Sequence, residues 1–317
     1  MTISYRRLAA ALSDRACCHL INFIQWRLPD RTNSLDEFAN YVNQCQPLTR
    51  PEFYSKEPIK ALAFAKGALR WSSPLPSGFA ENDIANARVF ICDQGWSAPT
   101  VFFLHALMSA SDFGYRRIAH RFNLKGWNAV LVHFPYHYTR VPDGYHNGAL
   151  ALTSDLVRNA ETVRQAVMEM RQLLELFRER GVDRFGLIGT SYGGWIGSIL
   201  LSLEDNFEFA ALLQPIVDIE QAIWESPATV TVRSRLRRHL FEPGVSRQHA
   251  HLSSPLNGKP LIDPTRIYLV AGEYDQIVPV QALWRLADTW SLKSVEVVPQ
   301  GHFGYVAMSR LLRRVLG

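Results

Sequence analysis

Long apolar runs are missing from this sequence, and nothing approaches the roughly 20 residues a membrane-spanning helix requires. Cysteine is scarce. Cys17, Cys18, Cys45 and Cys92 have neither disulfide nor metal-binding spacing, and adjacent Cys17 and Cys18 rarely bridge each other, so buried free thiols are expected. His249 and His251 lack a nearby third ligand, which argues against a metal site. Strong charge is absent too: the net value is +5, no RNA- or DNA-binding motif accompanies it, and no nucleic-acid partner is expected. Internal repeats and low-complexity tracts are also lacking. Arg6-Arg7 followed by Leu8-Ala9-Ala10-Ala11-Leu12 resembles a secretory signal, but Ser13-Asp14-Arg15 cuts the apolar stretch short, and a cytoplasmic location is expected.

What is present suffices for one large core: 317 residues, 47% of them hydrophobic. Residues 1–85 read as a helical extension, with helices at Tyr5–Trp26, Asp36–Asn43 and Ile59–Leu69. The first has an imperfect apolar stripe and flanking arginines. Packing on the core is the main reading, and a peripheral membrane contact is the alternative. Residues 86–317 alternate strands with helices, the signature of an α/β domain with a mostly parallel sheet flanked by helices. The strands are expected at Arg88–Cys92, Thr100–Leu104, Asn128–His133, Arg184–Ile188, Phe209–Gln214, Ile267–Ala271 and Ser294–Val298. Thr153–Arg180 reads as a long helix ended by Gly181.

Gly189-Thr190-Ser191-Tyr192-Gly193 carries the most information. It follows the apolar run Phe185–Ile188 and opens the helical segment Trp195–Leu201. A strand that turns this sharply into a helix forces its corner residue into unusual backbone angles, and small residues on either side let the two arms approach. Ser191 is then pushed out at a helix N-terminus, where free N–H groups favour developing negative charge. A phosphate loop would need a lysine at the start of this helix, and a dinucleotide fingerprint would need an acid about twenty residues on. Neither is present.

A serine in that position needs a base, and the base needs an orienting carboxylate. Of the histidines downstream, only His302 follows an apolar alternating run and precedes a final helix, Tyr305–Leu316. Asp275 lies just beyond the strand Ile267–Ala271, ahead of Pro279 at the start of the next helix, with Glu273 and Asp218 as alternative acids. Oxyanion donors are expected from the backbone N–H of Tyr192 and, after the strand Val101–Leu104, of Leu107. The His-Gly pair common at that point is His105-Ala106 here, and His105 is expected to bond the loop backbone. Tyr136, His137 and Arg140, in a loop at a strand's carboxyl end, are candidates for substrate contact.

From about Ala87 onward these residues resemble the α/β-hydrolase superfamily: Gly189–Gly194, His105 after a strand, Gly272-Glu273-Tyr274-Asp275 and Gly301-His302. His105–Arg117 and Val132–Pro142 are similar to the abhydrolase branch termed domain-containing eighteen, from which Tyr192 departs. The Ser-Tyr-Gly-Gly elbow also resembles that of prolyl-oligopeptidase-type peptidases. The resemblance implies the α/β-hydrolase fold and a serine hydrolase that cleaves an ester of a lipid or small acid through an acyl-enzyme, without a cofactor. Peptidase and thioesterase chemistry remain alternatives, as does a non-catalytic binding protein on the same fold. Residues 215–266 form a connection too long for a plain loop, and the resemblance implies a cap over the site. Between Thr231 and Pro260, Arg233, Arg235, Arg237, Arg238, Arg247 and Lys259 face the single acid Glu242. This is either a solvated face or an attractant for an anionic substrate.

Overall fold

A computed structural model describes residues 5–317. The chain opens with α1 (Tyr5–Arg27), α2 (Leu35–Cys45) and α3 (Arg50–Phe53), then runs through β1 (Lys60–Ala65), β2 (Ala68–Ser72), β3 (Ile84–Phe90) and β4 (Thr100–Leu104). Next come α4 (Phe113–Asn123), β5 (Asn128–His133), α5 (Leu156–Glu179), β6 (Phe185–Thr190), α6 (Tyr192–Leu201) and β7 (Phe207–Leu213). The connection that follows holds α7 (Ile219–Trp224), α8 (Val230–Arg238) and α9 (Ala250–Ser253), and β8 (Ile267–Gly272), α10 (Val280–Trp290), β9 (Glu296–Val298) and α11 (Val306–Leu316) complete the chain.

The nine strands form one sheet in the order β1-β2-β3-β5-β4-β6-β7-β8-β9. The first three pairings are antiparallel and the remaining five, from β5 to β9, are parallel. Alternation along β4 shows how the sheet is covered. Val101 and Phe103 point to a core shared with Ile118 and Phe122 of α4 and Leu311 and Leu312 of α11. Phe102 and Leu104 point to the opposite core, shared with Val163 and Leu173 of α5, Ile196 of α6 and Leu286 of α10. This is a parallel sheet buried on both faces, as βαβ crossovers require. Residues 215–266 are largely helical, and their Ile223, Trp224, Leu236 and Phe241 pack with Phe38 and Val42 of α2 in a smaller third core.

Two expectations need correction. Ile59–Leu69 is not a helix. Ala65 pairs with Ala68 across a two-residue turn, Lys66-Gly67, in which both residues have positive φ, 51° and 71°. That turn matches the twist of a hairpin, and it outweighs the weak helical spacing of Ile59 and Leu62. The segment before residue 85 therefore adds β1 and β2 to the sheet, and β2 pairs directly with β3. β1 is an exposed edge strand with a register break between Lys60 and Ala63, where Ala61 has φ 53°. Pro279 is the residue preceding α10 rather than its first helical residue.

Candidate active site

β6, β7, β8 and β9 lie side by side and parallel, so the segments leaving their carboxyl ends gather at one sheet edge. Ser191 leaves β6, Gln214 leaves β7, Asp275 follows β8 and His302 follows β9. Ser191 sits at the corner between β6 and α6 with φ 52° and ψ −113°, a strained conformation for a residue with a side chain. The elbow closes only because its flanks are glycine. A Cβ on Gly189 would stand 2.7 Å from the Gly193 carbonyl oxygen, and one on Gly193 would collide with the Leu104 and His105 carbonyls. Ser191 is held further by its N–H to the Leu213 carbonyl, 2.9 Å.

The Ser191 hydroxyl is 2.7 Å from His302 Nε2, and His302 Nδ1 is 2.8 Å from Asp275 Oδ2. The Asp275 side chain is fully buried, and its Oδ1 accepts the N–H groups of Ile277 and Val278, each at 2.8 Å. Gln214 donates its side-chain amide to Asp275 Oδ2 at 2.5 Å and to the Gly301 carbonyl at 3.1 Å. Gln300 in turn donates to Gln214 and accepts from Ala307 N–H. The alternative acids lie elsewhere: Asp218 caps α7 and meets Arg285, and Glu273 is exposed.

A second carboxylate reaches the same loop from the far end of the sequence. Asp14, buried on α1, accepts the N–H of His302 at 3.0 Å and those of Phe303 and Gln276 at 3.4 Å. Burial alone would lower the His302 pKa. The charge and hydrogen bond of Asp275, with the charge of Asp14, outweigh burial and leave it raised above the ordinary histidine value. An imidazole that accepts from the serine and is biased toward its cationic form by a carboxylate behind it can take and return one proton.

Tyr192 is the first residue of α6, so its N–H has no acceptor within the helix. Leu107 lies in the loop after β4, whose Leu104 and His105 carbonyls lie against Gly193 of the elbow. His137 is not at a substrate surface. It is buried, its Nδ1 faces the Pro135 carbonyl at 2.8 Å, and its Nε2 accepts the N–H of Met108 at 3.1 Å. Burial lowers its pKa to about 4, so it stays neutral and fixes the backbone next to Leu107. His105 is likewise held neutral by burial. Its Nδ1 faces the Ala106 carbonyl at 2.9 Å, and its Nε2 accepts Phe134 N–H at 3.2 Å.

Arg140 is also removed from the candidate substrate contacts. It is fully buried, paired to Glu169 of α5 at 2.6 Å, and its guanidinium also reaches the Asn82 and His133 carbonyls. Tyr136 is turned inward at φ 64° and packs against Phe79 in the core. A charge with a counter-charge inside the fold is drawn inward even from a loop at the ligand-binding edge of a sheet. Of the six basic side chains between Thr231 and Pro260, three make polar contacts within the protein. Arg235 reaches the Trp26, Leu28 and Pro29 carbonyls, Arg233 the Ile223, Trp224 and Ser226 carbonyls, and Arg238 pairs with Asp30 at 3.2 Å.

Sequence reasoning missed Asp14, Gln214 and Gln300. Only Gln214 had a local signal, its position directly after a parallel strand. Ser191 and His302 are 6% and 8% exposed, so the site is narrow. A groove bounded by Tyr115, Thr190, Gln214, Tyr305 and Met308 opens beside the elbow.

No protein-family model matches the chain. Two uncharacterized proteins of Mycobacterium tuberculosis, from strains CDC 1551 / Oshkosh and ATCC 25618 / H37Rv, are each 30% identical over 192 residues, 60% of this chain. The match covers 45% of each, so the chain spans about half the length of the curated relatives it matches. Among solved structures, acetyl xylan esterase 1 from Thermoanaerobacterium sp. JW/SL YS485 superposes with a TM-score of 0.55 at 16% identity, over 94% of this chain and 97% of that one. A puromycin-hydrolyzing peptidase of M. tuberculosis gives 0.55 at 18% identity, over 79% and 39%. The acylaminoacyl peptidase of Pyrococcus horikoshii gives 0.54 at 15%, over 83% and 43%. The chain has the α/β-hydrolase fold, with a mostly parallel sheet and flanking helices. Among the described residues, no helix is long and apolar enough to cross a membrane.

Proposed function

We propose that this protein is a serine hydrolase that cleaves a carboxylic ester of a lipid or small acid through an acyl-enzyme. One observation carries the reading: Ser191, His302 and Asp275 form a continuous hydrogen-bonded chain at the corner of a strained elbow. The Ser191 oxygen attacks the ester carbonyl while His302 Nε2 takes its proton. The carbonyl oxygen becomes an oxyanion held by the Tyr192 and Leu107 N–H groups. Collapse breaks the bond to the alcohol, which leaves with the proton from His302. Water, deprotonated by the same nitrogen, then attacks the acyl-Ser191 carbonyl, and the acid departs as the hydroxyl of Ser191 is restored. Asp275 orients the imidazole throughout, Asp14 acts as a positioning residue for its loop, and the cycle uses no cofactor.

The groove beside the elbow, with Met308 and Tyr115 on its walls, suits an apolar acyl chain. A lipid-acyl substrate also agrees with the resemblance to the domain-containing-eighteen branch. Peptidase chemistry is the second reading, favoured by the Tyr192 side of the elbow and by peptidases among the structural neighbours. The test is labelling by a fluorophosphonate probe, followed by hydrolysis of p-nitrophenyl esters of increasing chain length and of aminoacyl anilides. Wild-type labelling that disappears in Ser191→Ala, with ester turnover, supports the reading. Labelling that persists in Ser191→Ala refutes the nucleophile, and anilide turnover without ester turnover favours the peptidase.

A further inference from the structure

α1 is built inside out. Its buried positions are polar or small: Asp14, Cys18 and Gln25. Each polar one is anchored to the body. Asp14 holds the His302 loop, Gln25 donates to the Ala149 and Leu152 carbonyls, and Asn22 bonds the Pro227 carbonyl and accepts from Thr231 N–H. Ile21 packs on the core, but several large apolar side chains face outward: Leu8 is 51% exposed, Leu12 58%, Phe23 52% and Trp26 67%. At 3.6 residues per turn these four fall within an arc of about 60°. They form two apolar pairs toward the two ends of the helix, with His19 exposed between them on the same side. Phe23 and Trp26 stack on each other at 6.1 Å, and Leu240, just past the end of α8, adds a further exposed side chain at 74%.

The exposed charge on α1 itself is positive. Arg6, Arg7, Arg15 and Arg27 are exposed on α1, and the helix's only acid, Asp14, is buried beneath it. Arg237 and Arg238 of the adjoining α8 are exposed as well, Arg238 with Asp30 as its partner. A two-fold pairing of α1 with a second copy would set these arginines against their equivalents. Exposed apolar side chains set among arginines instead suit the boundary between acyl chains and anionic headgroups.

The geometry points to α1 as a docking helix for an anionic lipid surface, lying in the plane of the headgroups with Leu8, Leu12, Phe23 and Trp26 inserted. Because the opposite face of the same helix grips the His302 loop through Asp14, docking sets the candidate active site close to the lipid. That last consequence, an ester substrate drawn from the lipid surface, rests on the hydrolase reading, whereas docking itself does not.

The experiment is sedimentation of the full chain with vesicles of phosphatidylcholine alone, or mixed roughly two to one with phosphatidylglycerol. It is run with wild type and with Ser191→Ala, so that binding is read independently of hydrolysis. Binding to the mixed vesicles is expected, with weakening in high salt. A combined Leu8→Ser, Leu12→Ser, Phe23→Ser, Trp26→Ser variant should bind about tenfold more weakly or worse while retaining wild-type fluorophosphonate labelling. If that variant misfolds, Arg6→Gln, Arg7→Gln, Arg15→Gln, Arg27→Gln tests the charge alone and should show a similar loss on mixed vesicles. Three results would overturn the proposal: no binding to mixed vesicles, equal binding to phosphatidylcholine alone, or a wild-type dimer that the apolar substitutions dissociate.

Discussion

Replacing Asp14 tests whether the first helix governs a residue 288 positions away. The carboxylate accepts one backbone N–H at 3.0 Å and two at 3.4 Å, and it is 1% exposed. Asp14→Ala leaves the His302 N–H buried without an acceptor, a loss of about 2–3 kcal/mol when one strong charge-assisted bond dominates two long ones. The loop should then sag. A displacement near 1 Å at a reacting nitrogen costs on the order of 100-fold in rate. Asp14→Asn separates geometry from charge, because the amide oxygen can still accept while the negative charge is gone. The charge helps hold the His302 pKa above its ordinary value. Its removal lowers that pKa, so more of the imidazole is neutral and able to accept a proton on the acid side. The acid limb of the rate profile should therefore move to lower pH in Asp14→Asn, with a far smaller fall in rate than in Asp14→Ala. The assay is the rate of fluorophosphonate labelling from pH 5 to pH 9, with urea unfolding as the control. If both variants fold and label as wild type with an unmoved acid limb, Asp14 does not position the base.

Two further outcomes follow from groups buried elsewhere. Arg140→Ala strands Glu169 as an uncompensated interior charge and should cost about 3–5 kcal/mol by urea denaturation. In protein that remains folded, KM for a small ester should change little, which a substrate-contacting arginine would not allow. Burial lowers the pKa of His133, His137 and His249 to about 4 each. Between the ordinary value near 6.5 and about 4, the unfolded chain binds more protons than the folded one. Stability should thus fall as pH drops through that window, by ~1.4 kcal/mol per pH unit for each histidine. His302, raised by Asp275 and Asp14, contributes with the opposite sign: its share is present below its unfolded pKa and is lost as pH rises through the folded one. Thermal melting at pH 7 and pH 4.5 should show these buried histidines, with His105 lowered beside them, prevailing, and equal midpoints would refute this.

How much of this was legible depended on how local each signal is. Ser191 is marked by its own glycines, and Asp275 and His302 each sit a few residues beyond an apolar strand, so short windows identify all three. Asp14 has no such window. A lone acid in a helix reads as a solvated side chain, and only the packed fold brings the His302 N–H to it. Arg140 misled for the same reason in reverse. Its loop lies at the edge where ligands bind, but its counter-charge, Glu169, comes from the middle of a helix 29 positions later. The hairpin at Lys66-Gly67 was written in the sequence, although alanine and leucine on either side imitated a helix.

The two margins of the sheet bear on the protein's behaviour when concentrated. β9 offers a neighbour only three residues, and β1 is interrupted near Ala61 with Lys60 at its start. A tenth strand from another molecule would find too few evenly spaced amide groups on either side to zip along. A long ladder of backbone bonds thus stays confined to one molecule, and its growth into fibres is checked at both ends by backbone irregularity and brevity.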